Sequence, residues 1–332
     1  MVTLTKFAYF FKKGSVWAAL GLAIIALLLI IAAFGKNIRT LVFEPKALPA
    51  SVAFGKLPKI DFSEGVKPQG RITYKLETIS GDLPKLPGTA KVFAIRSEGL
   101  SFGRIEDIKR RAQQLGFNNQ PNITPGGFLS FVDPNDNKRF LSMYDTNGSI
   151  SYVIILNNQE MAAVQKPKNS QDALRLALDF LSKLNLNRNE FPNSKDVNSQ
   201  ADANLVRVNF YRADLDKLPV LPMLQDPAKG KVWVLIGNDK VLAAKMEIYN
   251  LERFTFATYP LKGVAKAYEE LQNGQGVFNT SPDLDTMEIT SVGLGYVESS
   301  KTDGFLEPVY IFGTLGNLKA FVSAVDDSWI SK

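Results

Sequence analysis

The stretch SFGRIEDIKRRAQQLGF, Ser101 to Phe117, places Ile105, Ile108, Ala112 and Leu115 at helical spacing and then reaches Gly116. That period of 3.6 predicts an amphipathic helix over 101–115, whose single apolar stripe must be covered by another element. The neighbouring sequence supplies one. A β-type run, AKVFAI (Ala90–Ile95), precedes the helix, and FLSFVD, RFLSMYD and SISYVIIL follow it, separated by PNDNK and TNG. Asn-Gly in the second of these links is a hairpin signal, so the three runs read as an antiparallel meander.

The same order then recurs. A helical pattern over Ser170–Leu184, with Ala173, Ala177, Leu181 and Leu184 on one face, leads into NLVRVNFYR, KVWVLIG and VLAAKMEIYN. A third, over Leu261–Leu271, aligns Val264, Ala267, Tyr268 and Leu271 and leads into MEITSVGLGYVES, FLEPVYIFGT and LKAFVSAV. The unequal spacing makes this a repeat of topology. The expected fold is α+β: consecutive lobes over 89–165, 166–256 and 257–332, each one helix packed on its own antiparallel sheet.

The chain ahead of the lobes has another character. Residues 14–35, GSVWAALGLAIIALLLIIAAFG, carry no charge and are nearly all apolar, enough to span a hydrocarbon core of about 30 Å at about 1.5 Å per residue. No small-residue cleavage motif follows, so the run reads as an uncleaved single-pass transmembrane helix behind a short tail, residues 1–13. Lysines at 6, 12 and 13 favour a cytoplasmic N-terminus, which puts the lobes outside the cytoplasm. Residues 36–88 hold Pro45, Pro49, Pro58, Pro68, Pro84 and Pro87, and read as an extended stalk whose apolar pieces, Phe54, Leu57 and Phe62, are suited to docking on the folded part.

Composition narrows the chemistry. Among 332 residues there is neither cysteine nor histidine, which removes disulfides, thiolate nucleophiles, cysteine zinc sites and the commonest general base and metal ligand. The net charge of +6 does not point to nucleic acid. Residues 1–46 hold six basic residues against Glu44, a balance of +5, leaving +1 for everything beyond. Only KRR at Lys109–Arg111 is a basic cluster in the lobes, and it falls on the polar side of a helix.

Candidate motifs weaken on inspection. Gly99-Leu100-Ser101-Phe102-Gly103 matches the G-x-S-x-G nucleophile elbow, but with no histidine Ser101 has no base, and it reads as a helix cap with Glu106 and Asp107 near the positive helix end. Asp133, Asn135 and Asn137 begin like a calcium loop, yet Lys138 stands where glycine is needed and Tyr144 where a bidentate glutamate belongs. NGQG at Asn273–Gly276 follows a helix C-terminus, so Gly274 reads as its cap and not as a phosphate loop. The doublets Glu269-Glu270 and Asp326-Asp327 are the remaining carboxylate pairs suited to a glycosidase. Sequons stand at Asn122, Asn147 and Asn279. No catalytic, cofactor-binding or metal-ligating residue is assigned.

YPLKGVAKAYEELQNGQG (Tyr259–Gly276), VGLGYVES (Val292–Ser299) and FLEPVYIFGTLGNLKAFVSAV (Phe305–Val325) resemble PepSY-like extracytoplasmic domains, and the chain is similar to the YycH and YycI family of membrane-anchored accessory regulators of a Gram-positive cell-wall sensor kinase. The resemblance implies a bacterial envelope regulator without catalysis. The expected function is therefore a non-enzymatic module, anchored in the lipid bilayer through residues 14–35, that binds an envelope protein or peptide through a sheet edge or a face such as Tyr211–Met223, a segment that reads first as a connector between two lobes. No nucleic acid and no small-molecule cofactor is expected. An envelope scaffold without ligand and a carboxylate-dependent hydrolase of envelope polysaccharide are the alternatives.

Overall fold

The computed structural model describes residues 48–68, 70–96, 102–125, 127–144, 149–192, 197–199, 204–223, 230–282, 285–299 and 304–331. The expected membrane span, the N-terminal tail, Ser101 and Asn147 lie outside them. No helix among the described residues is long and apolar enough to cross a membrane.

The class is α+β, and the described residues hold four α-helices: α1 (Phe102–Gln114), α2 (Asn158–Ala162), α3 (Ser170–Lys183) and α4 (Val264–Gln272). The three long ones end alike. The N–H of Gly116 donates to Gln113 and that of Phe117 to Ala112; Asn185 and Leu186 repeat the pattern on Ser182 and Leu181, and Gly274 and Gln275 on Leu271 and Glu270. These paired reverse bonds form the Schellman motif, which needs a left-handed residue just past the cap. Gly116 (φ 89°), Asn185 (φ 59°) and Gly274 (φ 74°) supply it. The short α2 was not legible as a helix, yet a capping box fixes it: the Asn157 side chain accepts from the Glu160 N–H, and the Glu160 carboxylate accepts from the Asn157 N–H.

The first two expected lobes are not separate. Their strands form one antiparallel sheet of eight, in the order Asn122–Thr124, Phe128–Asp133, Asp136–Tyr144, Ile150–Ile154, Lys240–Met246, Val232–Gly237, Val206–Phe210 and Val197–Ser199. The join is the pairing of Ile150–Ile154 with Lys240–Met246, in register from Ile150↔Met246 to Val153↔Ala243. Two small sheets side by side would each leave a strand with unpaired N–H and C=O groups, and pairing them removes both edges. Both α1 and α3 therefore lie on one core, where Ile108, Ala112, Ala177 and Leu181 meet Phe131, Met143, Val208, Val234 and Met246. The alternation of buried residues along each strand, such as Leu129, Phe131 and Asp133, points that face at the helices.

The expected boundary between 256 and 257 also falls inside an element. Asn250–Pro260 is a continuous strand of 11 residues, the longest in the described structure, antiparallel to Thr89–Arg96, which also pairs with Phe305–Leu306. The register jumps from Glu252↔Ala94 to Phe256↔Phe93, so Arg253, Phe254 and Thr255 bulge outward and Phe254 is 99% exposed. Another sheet has five strands, ordered Val277–Phe278, Lys319–Ser323, Pro308–Gly313, Ser291–Glu298 and Val220–Pro222, with only the last pair parallel. Here α4 packs, with Ala267 and Leu271 against Phe278, Phe312 and Val322. The runs 287–299 and 305–314 each break in two, since Thr286–Ile289 and Phe305–Leu306 join other sheets.

The extended stalk is corrected from residue 48 onward. The segment is extended, as its prolines require, but it is a strap laid on the fold. Thr73–Leu76 pairs in parallel with Thr286–Ile289; Leu57 bridges Ile330 and is fully buried; Val66 bridges Phe278. Ile60 and Phe62 cover one face of the five-stranded sheet beside Val309 and Phe321, while Ile72, Tyr74, Leu83 and Leu86 join α4 on the other. That sheet is apolar on both faces and has only one helix, so the strap provides the missing cover.

Candidate functional site

Where the eight-stranded sheet gives way to the strand Asn250–Pro260, four pieces of chain converge on a cleft of about 370 Å³, in the size range of ligand sites. α1 lines it with Arg104, Asp107, Ile108 and Arg111, a stripe set by helical spacing. The turn after α3 brings Asn185, Asn187 and Glu190, held out by the left-handed Asn185; Ile248, Tyr249 and Asn250 face them, over a floor that includes Met143 and Ile150, with Tyr144 exposed at the rim.

The charges around this cleft are tied to one another. Asp107 accepts from Arg110 and Arg111 at 2.6 Å each, and Arg111 also reaches the Leu184 carbonyl, which braces α1 against the end of α3. Burial alone would raise the Asp107 carboxyl, but hydrogen bonds from Arg110 and Arg111 outweigh it and hold the group below its ordinary value. Glu190 pairs with Arg212, whose side chain is wholly buried behind the cleft wall. Arg212 also donates through Nε to Glu298 at 2.6 Å, and its guanidinium stacks between Phe191 (4.9 Å) and Tyr249 (4.6 Å). Burial pushes the Tyr249 hydroxyl well above its ordinary value, reinforced by the Glu298 charge, so it stays neutral. Burial disfavours the Arg212 charge as well, yet the attraction of Glu298 prevails and the guanidinium is held charged.

The residues singled out from sequence fall elsewhere. Tyr211–Met223 is no exposed face: it holds Arg212, buries Leu215, Val220 and Met223, and adds the short parallel strand Val220–Pro222 to the five-stranded sheet. Its prolines suit an edge strand, not a docking surface. Asp133 accepts from the Asn135 N–H at 2.8 Å and pairs with Arg139, a turn closed by an ion pair. Among the described residues no cluster of acidic side chains is arranged to hold a metal. The acidic doublets do meet, through Lys262, which donates to Glu270 at 3.0 Å and to Asp327 at 2.7 Å, with Lys266 also on Asp327. Hydrogen bonds from Lys262 and Lys266 hold Asp327 low, and Asp326 is held low by Ser328 as it caps the last turn. Asn279 is buried, donating to Asn317 and accepting from Lys319, so this sequon is closed to modification in the folded chain.

Sheet edges offer little to a partner strand. Five of the six edge strands in the three larger sheets are two or three residues long. The sixth, Asn250–Pro260, is bulged at 253–255 and covered further on, where Ser51 and Val52 donate to the Thr258 carbonyl.

The cleft was not legible in sequence. Glu190, Arg212 and Glu298 come from three distant segments, and no local spacing connects them. Arg212 shares its connector, Tyr211–Met223, with Asp214, Asp216 and Lys217, so its burial had no local signal.

No protein-family model matches the chain, and no curated protein is similar to it. Solved structures are similar at low identity, among them the following two. An uncharacterized protein from Eubacterium rectale shares 10% identity at a TM-score of 0.42, over 79% of this chain and 92% of the other. YycH from Bacillus subtilis shares 15% at a TM-score of 0.37, over 73% of this chain, which spans 54% of the YycH chain.

Proposed function

We propose that this chain is a membrane-anchored, non-catalytic regulator of the cell envelope that docks a protein partner in the cleft between α1 and the turn after α3. The anchor is the span 14–35, with the N-terminus in the cytoplasm and the folded part outside. The sequence likeness of Tyr259–Gly276 and Phe305–Val325 to PepSY-like accessory regulators supports the regulatory reading.

The observation that carries the binding reading is the state of the cleft's charges. Asp107, Arg111 and Glu190 are each engaged by a neighbouring side chain of opposite sign. Hydrolysis of a glycosidic bond by two carboxylates requires one of them to hold a proton near neutrality. Asp107, Asp326 and Asp327 are all held below the usual carboxylate range, which weighs against that alternative.

Cross-linking in living cells followed by mass spectrometry tests the reading. One dominant protein partner is the expected result. Products made only of this chain would favour the scaffold reading instead. A reporter active only in the cytoplasm, fused to the C-terminus, is expected to be silent.

A further inference from the structure

We propose that the cleft takes an extended, uncharged peptide segment of the partner, gripped along its backbone by the carboxamides of Asn185 and Asn187. This deepens the docking reading above and rests on it.

The charge state of the ligand follows from what the protein has already used. Arg111 is committed to Asp107 and the Leu184 carbonyl, Asp107 to Arg110 and Arg111, Glu190 to Arg212, and Arg104 has an interaction of its own. The lining sets two arginines, Arg104 and Arg111, against two carboxylates, Asp107 and Glu190, so it presents no net charge to select a charged ligand.

What remains open is a set of neutral groups that both donate and accept. The Asn185 carboxamide bonds no other described residue; Asn187 accepts from the Asn189 N–H at 3.0 Å, which leaves its NH₂ group unused. A carboxamide can pair its C=O and NH₂ with the N–H and C=O of one residue in an extended chain, which point to the same side, whatever the side chain. Both residues are exposed at the rim, and Asn185 is fixed by the Schellman turn, so little order is lost on binding.

Two features favour a peptide over a sugar. Ile108, Met143, Ile150 and Ile248 make the floor hydrocarbon, which suits an apolar side chain and would strand the hydroxyls of a sugar ring. Tyr144, the exposed ring at the rim, already stacks on Phe128 at 4.7 Å. The blunted sheet edges explain why carboxamides, and not a strand's own N–H and C=O groups, would read the backbone.

The test uses the full chain in detergent micelles and an arrayed library of end-blocked, uncharged nonapeptides, with affinity read by fluorescence anisotropy. Asn185→Gly keeps the left-handed backbone and removes only the carboxamide; Asn187→Ala removes the second. Each is expected to weaken the best peptides about tenfold, the worth of one hydrogen bond, with unchanged melting temperature, while Phe254→Ser has no effect. Absence of any peptide binding, binding by both asparagine variants as tight as by the parent chain, or binding of a neutral cell-wall oligosaccharide that Asn185→Gly abolishes would each overturn the proposal. If a protein is still cross-linked from the cleft in cells, the docking reading stands and only the extended peptide is lost.

Discussion

Arg212 and Glu298 lie 86 residues apart in sequence and meet at 2.6 Å in the interior, with 0% and 4% of their side chains exposed. Arg212 follows the strand Val206–Phe210 of the eight-stranded sheet, and Glu298 ends the strand Ser291–Glu298 of the five-stranded one. Their bond pins the two sheets together directly behind the cleft, and Glu190 extends the pin into the cleft wall.

Removing one member of a buried pair leaves the other charge without compensation, which costs about 3–5 kcal/mol. Glu298→Ala is accordingly expected to destabilise the fold by that amount, measured by urea unfolding of the full chain in detergent micelles. Glu190→Ala, at a site with 20% of its side chain exposed, is expected to cost less because water can reach Arg212. Equal losses in the two variants would contradict the placement of Glu298 as the inner partner.

The strap is tested by Leu57, which is fully exposed to solvent in a free stalk and fully buried here. Leu57→Ala is expected to cost about 2–5 kcal/mol. Hydrogen exchange provides the companion measurement: the amides of Leu57, Val66 and Thr73, bonded to Trp329, Phe278 and Asp285, should be protected like those of the sheets. Exchange at the rate of an unstructured peptide would restore the stalk.

How far the fold was legible varies with the range of the force involved. FLSFVD was read as a strand from its alternation and is one, residue for residue, because a period of two is a local property. Gly116 and Gly274 mark helix ends because a left-handed residue is needed there, also locally. Which strands become neighbours is not local. Nothing in SISYVIIL or VLAAKMEIYN announces that the two would pair, and nothing in NLERFTFATYP distinguishes a long bulged strand from a loop. The cleft depends on all of these pairings and so was hidden from the sequence.

The helix ends give a sharper test of local reading. Gly116→Ala places a Cβ on a residue at φ 89° and is expected to cost about 1 kcal/mol by thermal unfolding. Space is not the obstacle, since the nearest atoms to that Cβ are Arg139 nitrogens at 3.9 and 4.0 Å. The backbone conformation alone sets the loss.

Acid sensitivity should reside partly at Asp327. Lys262 and Lys266 donate to it and hold its carboxyl below the ordinary value of 3.8. A carboxyl depressed by folding stabilises the fold at pH above its unfolded value, and this contribution disappears as pH falls through the folded one. Asp327→Asn is expected to cost at most about 1 kcal/mol at pH 6, because the pair is half exposed, and to lose less than the parent chain below about pH 4. Parallel stability profiles from pH 6 to 2 would show that the pair does not couple folding to protons.

The docking claim is tested most directly by a photo-cross-linking amino acid placed at Asn187 in the cleft, compared in living cells with the same group at Ile155, which is exposed just past the strand Ile150–Ile154. The account predicts one protein joined through Asn187 and absent at Ile155. The same products from both positions, or none from Asn187, would contradict it.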